Sequence, residues 1–93
     1  MEKRIYIQKQ LPLSEREWTK EDGVKQSIAV RGFVISDGID TIFAEAVGEY
    51  ARSLPVFDTR ATHVVQLQMY CRHYTDGNGV ERYSNEARIT KIV

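Results

Sequence analysis

Tyr70, Arg72 and Tyr74 alternate with Cys71 and His73, and Arg82-Tyr83 follow the turn Thr75-Asp76-Gly77-Asn78-Gly79. On a strand, residues two apart share a face. Two phenol rings and a guanidinium are therefore expected side by side. Aromatic faces stack on bases at about 1–3 kcal/mol per base, and cations track phosphates. Two further places repeat the combination. Trp18 stands near Lys20 and Lys25, and Arg31 shares a strand face with Phe33. The candidate nucleic-acid-binding set is Trp18, Lys20, Lys25, Arg31, Phe33, Tyr70, Arg72, Tyr74, Arg82 and Tyr83. Blander roles compete for each. Tyr70 and Tyr74 suit any half-exposed sheet face. Phe33 and Phe43 belong more often in a core than on a platform. Trp18 can act as a lid over one end of the fold. Arg72 and Arg82 can pair across a hairpin with Glu86 or Glu81.

Other chemistry finds less support. Cys71, His73 and His63 fall short of the four ligands of a structural zinc site, so no metal is expected. Cys71 alternates with Leu67 and Met69, which predicts a small buried hydrophobe. Glu45 and Glu49 straddle a change of period, so nothing fixes their separation. The glycines fall in turns without phosphate-cradling spacing. No catalytic constellation is visible, so neither an enzyme nor a small-molecule cofactor is expected.

Composition sets the frame. Hydrophobic residues make up 42% and charged residues 28%, which excludes a disordered segment. Ninety-three residues make one domain, 1–93, with a modest core, a size at which oligomerisation often adds stability. Thirteen basic and thirteen acidic side chains cancel. That weighs against a strongly basic binder, although the signs can segregate to different faces. A single cysteine gives no intramolecular disulfide. The charged start MEKRIYIQKQ has no apolar signal region, and no apolar run could cross a bilayer. A cytoplasmic protein without membrane attachment is expected.

The elements that must position these residues are short strands between turns. Lys3–Leu11 reads as a strand with Ile5 and Ile7 on one face. Ser14–Gly23 is polar and ends in an Asp-Gly turn, with room for one helical turn. Val24–Ile35 reads as a long strand interrupted by Gly32. Ser36-Asp37-Gly38 turns it into a third strand, Asp40–Ala46. Val47, Tyr50, Ala51 and Leu54 take helical spacing before Pro55. His63–Tyr74 and Val80–Val93 form the last hairpin. Five strands with a helix between the third and fourth predict an all-β, five-stranded OB-fold barrel.

The run from Tyr70 to Glu86 resembles the bacterial single-stranded DNA-binding protein family. In that family a basic residue and an aromatic precede an acidic-Gly turn, followed by Arg-Tyr, a hydroxyl residue and Glu. Arg72, Tyr74, Asp76, Gly79, Arg82, Tyr83 and Glu86 match it, and Phe43–Leu54 resembles the family's third strand and short helix. The likeness covers roughly residues 25–93. Trp18-Thr19-Lys20 also resembles a Trp-Lys-Lys-like element of small OB-fold proteins. The resemblance implies a homo-oligomer, dimer or tetramer, that binds single-stranded DNA with little sequence preference; RNA is the alternative ligand. Two departures stand out. The family is usually more basic, and it carries a long tail with an acidic tip, whereas this chain stops at Lys91-Ile92-Val93. Tail-mediated recruitment of partner proteins is not expected. The rival expectation is a protein-interaction or assembly module on the same barrel.

Overall fold

Ile5 and Ile7 face inward from β1 (Glu2–Gln10), and every other strand contributes to the same interior except β2. The computed structural model describes residues 1–93. After β1 come β2 (Ser14–Thr19), β3 (Lys25–Ser36), β4 (Thr41–Val47), the helix α1 (Gly48–Ser53), β5 (Thr62–Thr75) and β6 (Glu81–Ile92). No helix is long and apolar enough to cross a membrane.

The strands close on themselves. β1 pairs with β5 along Glu2–Tyr6 and with β3 along Tyr6–Gln10, both antiparallel. A register shift between Ile7 and Lys9 accompanies the change of partner, as bulges do where a strand bends. β3 pairs with β4, β5 with β6, and one parallel bridge, Glu45 to Arg88, joins β4 to β6. The result is a closed ring of five strands with the helix between β4 and β5, the OB arrangement expected from the sequence.

Inside lie Phe33, Ile7, Ile35, Ile89 and Val65, all fully buried. Ala51 and Leu54 bring α1 onto this core. The Tyr50 hydroxyl accepts from the Ile92 amide at 2.6 Å, tying the helix to β6. Phe57 in the following loop meets Phe33 edge-on at 6.3 Å, and Gln10 fixes that loop by donating to the Pro55 carbonyl and accepting from the Phe57 amide. At the β3–β4 turn, Asp37 accepts from the amides of Ile39 and Asp40 and from Lys3 at 2.9 Å. The Asp40 and Ile39 amides and the Lys3 ammonium hold the Asp37 carboxyl far below the usual carboxylate range.

Two sequence expectations are corrected. Ser14–Thr19 is a strand, paired with Lys25–Val30 across a turn, and not a turn or helical segment. Its polar, fully exposed sequence carries no alternation to reveal it; strand geometry comes from its β3 neighbour. Cys71 is exposed, not buried. The alternation through Met69 and Cys71 continues after the core beneath it has ended.

Candidate nucleic-acid interface

Beyond Leu67, every residue of β5 from Gln68 to Thr75 is exposed. The β5–β6 hairpin leaves the ring there as a two-stranded arm, paired in register from Met69–Ala87 to Thr75–Glu81. A lone two-stranded hairpin is marginal in water. Anchoring to the ring and cross-strand side-chain pairs, each worth roughly 0.2–1 kcal/mol, must hold this one. At its end Gly79 takes φ 78°, open to glycine without strain. Asp76 accepts from the Asn78 and Val80 amides and from Arg82 Nε at 2.9 Å. Arg82 and these amides hold the Asp76 carboxyl below its ordinary range.

Directly opposed residues share a face, so the register sorts the arm into two surfaces. The outer one carries Tyr70, Arg72 and Tyr74 from β5 with Arg82, Glu86 and Arg88 from β6. Tyr70 and Tyr74 are 39% and 44% exposed. Arg72 lies over the Tyr74 ring and Arg88 over the Tyr70 ring, each 5.7 Å from the centroid. Arg72 also stands 3.7 Å from Glu86. The Glu86 carboxylate, directly opposite on β6, raises the Tyr70 pKa. The inner surface carries Met69, Cys71 and His73 opposite Ala87, Asn85 and Tyr83, with His73 and Tyr83 stacked at 4.7 Å.

The sequence-derived set thus divides. Tyr70, Arg72, Tyr74 and Arg82 are brought together on the outer face of the arm. Tyr83 is on the inner face, packed on His73, because it lies one residue out of step with Arg82. Trp18, Lys20 and Lys25 form a separate cluster at the end of the β2–β3 hairpin, where Glu21 and Asp22 also border Trp18. Phe33 is corrected outright: at 0% exposure it is core and has no face for a base. Arg31 shares that inward parity. Its guanidinium donates to the Leu11 and Leu54 carbonyls at 3.1 Å each, which makes it a structural tie and not a phosphate contact.

Two residues outside the expected set matter. Arg88 completes the outer face, and its even spacing from Arg82 and Glu86 was the signal for it. Phe43 is 51% exposed, and its ring covers Gly32 on the neighbouring strand. A Cβ at Gly32 would meet Phe43 Cζ at 2.6 Å, so glycine is what lets the ring lie down there. Phe43 borders a cleft of about 550 Å³ with Ile42, Met69 and Ala87, closed on one side by the Arg16–Glu45 ion pair at 2.8 Å. No protein-family model and no curated protein matches the chain.

Proposed function

We propose that this chain binds single-stranded nucleic acid, DNA before RNA, on the outer face of the β5–β6 arm, and that it acts by binding and not by catalysis. One observation carries the reading: two exposed tyrosine rings, each accompanied by a guanidinium, stand on one solvent-facing surface. Rings supply stacking platforms and guanidiniums neutralise phosphates. The zero net charge is compatible with this because the arm's outer face has a local excess of cations: Arg72, Arg82 and Arg88 stand there against Glu86 and Asp76, which pairs with Arg82 at 2.9 Å. The likeness of Tyr70–Glu86 to the hairpin of bacterial single-stranded DNA-binding proteins points the same way. We further propose that the protein is cytoplasmic and a homo-oligomer; with only 16 of 93 residues buried, subunit contacts would add to so small a core.

The test is a fluorescence titration with single-stranded oligonucleotides at low and moderate salt. Saturable quenching that weakens with salt supports the reading. No complex at micromolar protein overturns it.

A protein-docking role is favoured by a different observation, the cleft in which Ile42, Phe43, Met69 and Ala87 are bordered by Arg16, Glu45, Asn85 and Glu86. Because Phe43 is absent from the arm's outer face, the two roles separate by mutation. Loss of oligonucleotide binding in Phe43→Ala, with Tyr74→Ala silent, would move the site to the cleft.

A further inference from the structure

Glu86 is the carboxylate beside the Tyr70 ring on the arm's outer face, whereas Asp76, the other acid near its guanidiniums, is held by Arg82 at the turn. It sits directly opposite Tyr70, and one carboxylate oxygen is 3.7 Å from Arg72. Arg88 stands over the same Tyr70 ring. A carboxylate beside a path for phosphates repels them, so a strand passing Glu86 must turn its backbone toward the arginines and its base toward Glu86. A base stacked on Tyr70 then presents its polar edge to a group that only accepts hydrogen bonds. Cytosine offers an exocyclic amine at that edge, whereas thymine offers a carbonyl oxygen.

We propose that Glu86 is a base-reading residue, which makes the stacking site beside Tyr70 prefer a base with an exocyclic amine and disfavour thymine. The proposal rests on the single-strand reading of the arm and goes beyond it, since stacking alone is indifferent to base identity. Arg72 steadies the carboxylate from 3.7 Å, and the carboxylate stands directly opposite the Tyr70 platform.

The experiment compares affinities for short oligo-dC and oligo-dT of equal length, two pyrimidine strands that differ at the edge in question. The native protein should favour oligo-dC by about tenfold, within what a good base-edge contact provides. Glu86→Gln removes the charge and offers both a donor and an acceptor, so the ratio should fall to within about twofold while overall affinity rises. Equal binding of the two oligonucleotides by the native protein overturns the proposal and leaves the single-strand reading intact. An undiminished oligo-dC preference in a folded Glu86→Gln protein also overturns it. Failure of both oligonucleotides to bind removes the single-strand reading itself. The native comparison needs no variant, so a misfolded substitution cannot shield the proposal.

Discussion

Phe33 and Tyr74 are both aromatic strand residues, and the difference in their surroundings fixes opposite consequences for their removal. Phe33 is fully enclosed, with Phe57 edge-on against it. Phe33→Ala should cost about 3–5 kcal/mol of stability, read as a lowered denaturation midpoint. Tyr74 is 44% exposed on the arm. Tyr74→Ala should leave the thermal midpoint nearly unchanged and weaken oligonucleotide binding about 5- to 150-fold, the equivalent of roughly 1–3 kcal/mol per stacked base. Gly32→Ala belongs between them. The new methyl would collide with the Phe43 ring end and with Leu11 Cδ1 at 2.9 Å. Phe43 is half in solvent and can swing away, so the cost should lie near the lower end of overpacking, about 1 kcal/mol. Residue type alone did not separate these cases. Phe33 and Arg31 share one parity with Ala29 and Ile35, and the apolar type of those two neighbours was the available clue that Phe33 points inward. For Arg31, parity was not enough. Its place at the end of the interior, where two carbonyls receive it, emerges only when the strand ring closes.

At the scale of elements, the arm is a hairpin whose two faces both meet water, and its far end depends on one carboxylate. Asp76 accepts from two amides and one guanidinium there. Its folded pKa is depressed, so its contribution is complete above the ordinary carboxylate pKa and disappears as pH falls through the folded value. Hydrogen exchange at the Asn78 and Val80 amides, corrected for intrinsic rates, should therefore lose protection in acid before the core amides do. Asp76→Asn should show that loss already at neutral pH. The five strands of the ring, the β3–β4 and β5–β6 hairpins and the short helix were legible because Ile5/Ile7, Val65/Leu67 and Tyr50/Ala51/Leu54 repeat at strand or helix spacing. The arm was legible as strands but not as an arm. Periodicity tells which residues share a face, whereas the packing over that face depends on where the other strands end. Met69 and Cys71 continue an inward row past the last residue that covers it. β2 shows the converse, since Ser14–Thr19 has no apolar row and becomes a strand through its partner.

For the molecule as a whole, neutrality and binding are reconciled by location of charge. Arg72, Arg82 and Arg88 are the cations of the outer face. Neutralising three phosphates of a single strand should give a slope of about −2 in log affinity against log salt. A slope near zero would remove phosphate contact from the description, and Arg88→Ala should flatten the native slope by roughly 0.7. Tyr70, Tyr74 and the three arginines lie outside the Phe43 cleft, while Glu86 borders both surfaces, so the most direct measurement is one that locates the ligand. Amide chemical shifts should be followed residue by residue as a single-stranded oligonucleotide is added to isotope-labelled protein. Shifts concentrated at Gln68, Tyr70, Arg72, Tyr74, Arg82 and Arg88, with Ile42, Phe43 and Trp18 quiet, are the expected result. A still outer face with movement at Ile42, Phe43 or Trp18, or no movement anywhere, would contradict it.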